Sequence, residues 1–232
     1  MTTMDKHGAL ALNSFQLKLL ACAFMLIDHI GYLLLPQYLF LRVIGRLAFP
    51  IFAYMLANGW RYSGDRRKYL LRLLLFAVLF QPLYSICMND AQLFLRLNIL
   101  FTLALGLLCI ICYQYLCGKD IDWRIAALIA VPFAVFAQLT HLEYGAYGLL
   151  LIFTAHLFFE RELQLTLAWM AVSALAVIGL TGMRELQLFA LAALPLLSMY
   201  NGERGRGSRW LFYGFYCLHI PLLYLLRLWL AA

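Results

Sequence analysis

Long apolar stretches separated by short polar connections dominate the chain. A transmembrane helix needs about 20 mostly apolar residues, or somewhat fewer when flanking side chains reach the interface. Nine stretches meet this requirement or come close, over residues 15–35, 40–60, 69–88, 95–117, 123–139, 144–159, 163–180, 184–200 and 210–230. The sixth to eighth are short, so the expected number lies between eight and ten. The pattern predicts an all-α, polytopic integral membrane protein with a single transmembrane domain over residues 1–232.

The composition supports a membrane protein and excludes an ordinary soluble domain. Hydrophobic residues make up 65% and charged residues 12% of the chain, against about half and about a quarter in soluble proteins. The net charge is +7, but the basic residues lie between apolar stretches and form no single surface for nucleic acid. The first stretch is too long and too polar in its middle for a cleaved signal peptide, and no small-residue cleavage site follows it.

The basic residues also predict the orientation, because cytoplasmic loops carry an excess of lysine and arginine. The connection "RYSGDRRKYLLR" after the second stretch is predicted to be cytoplasmic, and the N-terminus with it. With nine helices the C-terminus lies outside, which is the periplasm in a Gram-negative bacterium. Basic residues of the later connections agree with this orientation: Lys119, Arg124, Arg161, Arg204, Arg206 and Arg209.

The six cysteines lie within or at the ends of apolar stretches. Cys109 and Cys112 form a C-x-x-C pair without a neighbouring histidine or acid, which is a poor metal site. We therefore expect buried thiols, no metal and no disulfide.

Two ionisable residues, Asp28 and His29, interrupt the first stretch in "FMLIDHIGYLL". Ionisable groups inside a membrane are costly and mark function or specific pairing. Lys18 and His29 are eleven residues apart, so on a helix they differ by about 20° around the axis and by ~16 Å along it. Asp28 lies about 100° around from His29 and faces a neighbouring helix, where it could pair with an arginine such as Arg46.

Five sequence blocks resemble the TraX family of conjugative F-pilin acetylases and their homologues. They are "KLLACAFMLIDHIG", "RVIGRLAFPIFAYMLANGW", "NILFTLALG", "EYGAYGLLLI" and "FYGFYCLHIPLLYL". The lysine, ten residues and histidine of the first block also resemble the acyltransferase-3 and heparan-glucosaminide acetyltransferase group. The chain departs from the TraX pattern at Glu143, where the family has aspartate, and at Cys217, where it has proline. Glutamate preserves the charge, whereas the cysteine weakens any inference of a proline kink at that position.

The resemblance implies an acetyltransferase of the bacterial inner membrane, which uses cytoplasmic acetyl-CoA and no metal. The implied acceptor is the N-terminal amine of a processed pilin, itself a membrane protein. His29 would then be the catalytic histidine, as a general base for the attacking amine or as the carrier of an acetyl-imidazole intermediate. Lys18 would contact the donor, or it is only a basic anchor at the cytoplasmic helix end.

Further polar residues are candidates for the same site. Arg46 would pair with Asp28 or stabilise the transition-state oxygen, whereas Arg42 could simply snorkel to the outer interface. The basic cluster of the second connection would bind lipid headgroups, CoA phosphates or both; its members are Arg61, Arg66, Arg67, Lys68 and Arg72.

Candidates for the lining of the acceptor cavity come from four other stretches. Pro50 is expected to kink the second helix, and Tyr54 and Asn58 follow it on one face. Asn98 lines the cavity or caps its helix. Glu143 and Tyr144 attract the acceptor amine or anchor the chain at the interface. His219 lines the cavity or contacts the residues that line it. His7 and His156 have no motif and are interpreted as structural.

Three alternatives to a pilin acetylase remain open on these residues. An O-acetyltransferase acting on a glycan hydroxyl would use the same chemistry. A proton-coupled transporter would use Asp28, His29 and Arg46 as its ionisable site. A structural subunit of a pilus or secretion assembly would tolerate the loss of His29.

Overall fold

A computed structural model describes residues 11–88, 96–179, 185–207 and 209–231. Some sequence-based predictions fall outside these residues. They concern His7 and the ends of three predicted helices at Leu95, Leu180 and Arg184.

The described residues form helices and short connections, so the all-α prediction is confirmed. The α-helices are α1 (Ser14–Leu33), α2 (Leu39–Gly45), α3 (Ala48–Tyr62), α4 (Arg66–Cys87), α5 (Ile99–Cys117), α6 (Trp123–Ala127), α7 (Ala130–Leu139), α8 (Gly145–Leu157), α9 (Glu162–Val177), α10 (Leu194–Ser198) and α11 (Arg209–Ala231). A 3₁₀ segment, Glu185–Ala193, precedes α10.

Among the described residues, five helical segments are long and apolar enough to cross a membrane: Ser14–Leu33, Leu39–Tyr62, Arg66–Cys87, Ile99–Cys117 and Trp210–Ala231. Four shorter apolar segments coincide with the remaining predicted stretches: Trp123–Leu139, Gly145–Leu157, Glu162–Val177 and Leu186–Ser198. Each predicted stretch is therefore helical where it is described, while nine membrane crossings stay a prediction. The outer face of α4 supports membrane burial, because Leu71, Leu75, Val78 and Leu79 are all exposed on it.

The chain groups into two compact units. The first unit consists of the chain up to Met55 together with Phe189 onward, and the second unit is Leu56–Leu188. The prediction of a single domain concerns the whole chain and stays a prediction.

In the first unit, α1 runs antiparallel to α2 and α3 and in the same direction as α11. Gly31 of α1 lies against Leu41, and Ser14 contacts Met55. At the start of α1, Phe15 packs on Phe212 of α11. The starts of α1 and α11 are therefore at the same end of this unit.

The connection before α11 is attached to the start of α1 by backbone hydrogen bonds. Leu12 N donates to Met199 O, Asn201 N donates to Leu12 O, and Ser14 N donates to Glu203 O. Asn13 caps α1 in a reciprocal arrangement with Gln16. These contacts order the start of the first helix beside the glycine-rich segment 201–207.

The second predicted stretch is broken between α2 and α3 at Arg46 and Leu47. Pro50 lies four residues after Arg46, and a proline cannot donate a hydrogen bond to the carbonyl four residues before it. The predicted effect of Pro50 is confirmed, but the interruption lies upstream of the proline itself.

In the second unit, α8 is the central helix. It packs against α5, α7 and α9, and most of its residues are buried. A Cβ atom added to Gly106 of α5 would lie 2.7 Å from the Ile152 side chain, so the glycine permits the close approach of α5 and α8.

Candidate active site

The carboxylate of Asp28 is bound by two arginines in the first unit. Arg42 Nη1 lies 2.5 Å from Asp28 Oδ2, and Arg46 Nη2 lies 2.5 Å from Oδ1. Arg42 Nη1 also donates to the backbone oxygen of Asp28 at 3.1 Å, and Arg46 Nε donates to the backbone oxygen of Arg42 at 3.2 Å. The predicted pairing of Asp28 with Arg46 is confirmed. The snorkelling alternative for Arg42 is wrong, because its guanidinium turns inward to the carboxylate.

Gly45 allows this ion cluster to form between α1 and α2. A Cβ atom at Gly45 would collide with the carboxylate of Asp28. Asp28 and Arg46 are each only 8% exposed, and such burial of charge is tolerated only when partners satisfy it. The absence of a side chain at Gly45 therefore brings the arginines within reach of Asp28.

His29 points away from this cluster and meets a second histidine. Its Nδ1 lies 2.8 Å from Met25 O, one turn earlier, and 3.3 Å from Nε2 of His219 on α11. His219 Nδ1 in turn lies 2.9 Å from Phe215 O, and its ring stacks on Phe215 with 4.9 Å between centroids. The two histidines therefore form one hydrogen-bonded chain between the backbones of α1 and α11.

The backbone partners assign the protons of both neutral rings. A carbonyl oxygen only accepts, so Nδ1 of each histidine must carry the hydrogen that it shares with its carbonyl. Nε2 of His219 then has a lone pair facing the Nδ1 hydrogen of His29. In the part of the chain that the structure describes, Nε2 of His29 has no hydrogen-bond partner. That nitrogen keeps a lone pair available as a proton acceptor.

Lys18 lies on the same side of α1 as His29. Its ammonium lies 5.8 Å from the centroid of the Phe212 ring on α11, while His29 meets His219 of the same helix. The predicted common stripe of Lys18 and His29 is thus confirmed, and it faces α11. Tyr54 also lies in this unit, where its buried ring packs edge-on against Tyr200 at 6.1 Å.

Several predicted site residues belong to the second unit. Asn58 is buried there, near the end of α3. Glu143 and Tyr144 precede α8, where Glu143 N donates to Leu97 O at 3.0 Å and its carbonyl oxygen accepts from Thr102 Oγ1 at 2.5 Å. Tyr144 has a φ of 65°, so a tight backbone turn sets the direction in which α8 begins.

Asn98 is the N-cap of α5, as one of the two alternatives predicted, and it is completely buried. Its Oδ1 accepts from Leu100 N at 3.0 Å, and its Nδ2 donates to Ala77 O and to Gln81 Oε1, each at 2.9 Å. These bonds tie α4 to the start of α5. They explain the residue structurally and give no support to a lining role.

The basic residues after α3 also belong to the second unit. Arg61 Nη1 lies 3.2 Å from Glu160 Oε1, and its guanidinium lies over the Phe159 ring at 4.7 Å. Arg66 lies over the Trp60 ring at 4.3 Å, and Arg67 is exposed. The structure thus gathers Lys18, Asp28, His29, Arg46 and His219 in the first unit, while Arg61, Arg66 and Arg67 form part of the second.

The sequence did not indicate the role of Gln81, and it marked His156 as structural without indicating its partner. Gln81 supports Asn98 and is fully buried. His156 is buried on α8, with its Nε2 2.9 Å from Gln114 Nε2 of α5. No local motif marks either residue, because each partner comes from another helix. Arg42 was visible in the sequence, but its role depends on the close approach at Gly45.

Comparison with known proteins agrees with the resemblance seen in the sequence blocks. A family model described as TraX protein matches residues 14–227. A probable fimbrial assembly protein, FimC of serogroup H1, from Dichelobacter nodosus is 34% identical over 242 aligned residues, which cover 91% of this chain and 94% of the relative. An uncharacterized protein of Rickettsia prowazekii is 36% identical over 99 residues, covering 43% of this chain and 35% of that protein. No solved structure matches the chain.

Proposed function

The chain belongs to the TraX family, and on that premise we propose that it is a membrane acetyltransferase. It would move an acetyl group from cytoplasmic acetyl-CoA to an amine at or across the membrane. The family and the fimbrial assembly relative fit a role in pilus-related processes, and the proposed acceptor is the N-terminal amine of a processed pilin. The resemblance to the acyltransferase-3 group supports the same donor.

One observation supports this chemistry above all: Nε2 of His29 is left with a lone pair inside an apolar helix. The backbone oxygen of Met25 and the ring of His219 hold Nδ1 in its protonated form. Neutral imidazole is the side chain best suited to accept a proton near neutral pH. The arrangement therefore presents a positioned base.

The proposed reaction is a direct transfer. The acceptor nitrogen attacks the thioester carbonyl, so that a C–N bond forms and the C–S bond breaks. Nε2 of His29 takes the proton that the nitrogen loses, and the departing CoA thiolate takes up a proton from the imidazolium. Lys18 lies about 16 Å along the helix from His29, where it would contact the donor.

Asp28 and Arg46 act in this proposal as positioning residues. The carboxylate of Asp28 is held by Arg42 and Arg46 rather than by His29. The cluster joins α1 to α2 at the residue before His29 and thereby fixes the position of the helix turn that carries it. Arg46 already donates to Asp28 and to the Arg42 backbone, which favours the pairing role over direct contact with the reacting oxygen.

The proposed location is the bacterial inner membrane, with the N-terminus in the cytoplasm. In the sequence, Lys18 lies near the start of α1, and Arg204 and Arg206 precede α11. Arg61 lies at the end of α3, and Arg66 and Arg67 follow it. This concentration of positive charge favours the cytoplasmic side.

The decisive experiment is transfer of labelled acetyl from acetyl-CoA to a pilin N-terminus by the purified protein in lipid nanodiscs. His29→Ala should lower the rate ~10²-fold or more, as expected for loss of a general base, without loss of folded protein. His141→Asn is the matched control, because His141 is exposed and its positive φ suits asparagine.

Full activity in His29→Ala would contradict the catalytic assignment. Absence of transfer to any amine, together with proton-coupled uptake of a solute, would favour a transporter. Transfer to a glycan hydroxyl in place of the amine would keep the catalytic base and change only the acceptor.

A further inference from the structure

The second unit contains a pocket of about 490 Å³ at one end of its helices. The pocket is formed by the end of α3, the start of α4 and the last turns of α5 and α8. Small-molecule sites commonly measure about 300–1,000 Å³, so this pocket is large enough for more than an inorganic ion.

The pocket is positively charged. Arg61 and Arg66 line it, and among the described residues no acidic side chain does. Arg61 also pairs with Glu160 outside the lining, but that carboxylate side chain is 77% exposed and such a pair is weak in water. Arg66 has no acidic partner in the described part of the chain and rests on the ring of Trp60. Its guanidinium is therefore held in place without being neutralised.

The wall of the pocket contains a polar pair, in which Gln114 is exposed and His156 is buried. The amide nitrogen Nε2 of Gln114 can only donate, so Nε2 of His156 accepts and Nδ1 of His156 carries the hydrogen. This Nδ1 is buried and has no hydrogen-bond partner among the described residues. His156 is only 6% exposed, and buried donors in folded proteins are normally satisfied. Because this nitrogen is closed to water, a ligand oxygen can accept its hydrogen only after the imidazole turns toward the pocket that His156 lines.

We propose that this pocket binds a phosphate ester, with Arg61 and Arg66 as its cationic contacts and His156 as an additional donor. Two arginines suit a phosphate because planar guanidinium groups donate in pairs to its oxygens. The inference rests on the proposed function in one respect: the phosphorylated adenosine of CoA belongs to this chemical class. The pocket itself stands on residues of the second unit alone.

A phosphate ester could reach the pocket from solution or from the membrane as a lipid headgroup. The two sources can be separated with adenosine 3′,5′-bisphosphate as a soluble probe, which carries no acetyl group and no lipid chain. Its binding would be measured by calorimetry on the full chain in nanodiscs of phosphatidylcholine, with and without phosphatidylglycerol. Native mass spectrometry of the same samples would count retained anionic lipids.

Saturable binding of the probe should occur and should weaken roughly tenfold or more in Arg66→Ala. His156→Leu should weaken it as well, whereas Arg124→Ala should change it less than about twofold, since Arg124 is an exposed arginine of the same unit outside the lining. Retention of phosphatidylglycerol that depends on Arg66, without probe binding, would support the phosphate-ester pocket with a lipid as its source.

If substitution of Arg66 or His156 changes neither the binding of the probe nor the retention of lipid, the assignment of the pocket is overturned. Arg66→Lys keeps the charge and tests the pairing geometry, and the melting temperature of each variant identifies misfolding. Acetyl transfer is measured separately. Probe binding without acetyl transfer would support the phosphate-ester pocket and contradict the proposed function. Acetyl transfer without any effect of the pocket variants on binding would support the proposed function and contradict the pocket.

Discussion

Nε2 of His219 lies 3.3 Å from Nδ1 of His29, although the two residues are on different helices and 190 positions apart in the chain. Because Nδ1 of His219 is bound to the backbone of its own helix, its Nε2 can only accept in the neutral ring. His219 therefore fixes the ring of His29, and in the proposed reaction it would stabilise the positive charge that His29 gains with a proton. It touches no reacting atom in this arrangement, so it is a positioning residue.

His219→Leu should slow acetyl transfer. Loss of one hydrogen bond worth about 1–1.5 kcal/mol corresponds to roughly five- to tenfold in rate. The loss should appear in kcat with KM little changed, because the contact strengthens only as His29 becomes charged. His219→Gln should recover part of the rate, since a side-chain amide oxygen can also accept. An equal rise in KM, or no rescue by glutamine, would indicate a merely structural role, and Leu218→Ala at an exposed position is the control.

Asp28→Asn should destabilise the first unit strongly. It would leave Arg46 buried without a counter-charge, and breaking a buried pair costs ~3 kcal/mol or more. Arg42 contributes less, because its side chain is 24% exposed and can turn to water. The fall in melting temperature would be measured in detergent, with Asp65→Asn as a control at an exposed helix cap.

A double variant tests whether the cost comes from the unpaired charge. Replacing Arg46 by Gln together with Asp28→Asn should recover part of the stability lost in Asp28→Asn. Additive losses would mean that the two side chains do not interact.

Local helical geometry was sufficient to predict which faces of α1 its ionisable residues occupy. It did not predict their partners on distant helices. The spacing of Lys18, Asp28 and His29 settles which face of α1 each occupies, and a buried carboxylate needs a cation, so the Asp28–Arg46 pair follows. The contact of His29 with His219 depends on α11 packing in the same direction as α1. The pattern of apolar and polar residues within either helix does not predict this packing of α11 against α1.

The same limit explains the residues of the second unit. Asn98 before an apolar stretch signals a helix cap, and α5 begins there. Its hydrogen bonds to Gln81 require α4 to pack alongside. His156 looks like a lone polar residue in an apolar helix until α5 places Gln114 beside it.

Gly45→Ala should destabilise the protein and lower acetyl transfer together. The added methyl group would overlap the carboxylate of Asp28, so α2 would have to move away from α1 and the arginines with it. Overpacking of this kind costs about 1–3 kcal/mol. Gly64→Ala is the control, since nothing lies within 4 Å of a Cβ at that position. Normal stability and activity of Gly45→Ala would contradict the tight fit of the ion cluster. Both variants would be compared by melting temperature and transfer rate.

The C-terminus should lie on the opposite side of the membrane from the loop after α3. The starts of α1 and α11 share one end of the first unit, because Phe15 packs on Phe212. Within the first unit, the antiparallel α3 returns to that end, since Met55 contacts Ser14. An alkaline phosphatase fusion after Ala232 should therefore be active, and a fusion after Gly64 inactive, because the basic loop favours the cytoplasm. Inactive fusions at both positions would mean that α1 and α11 do not both cross the membrane in the same direction.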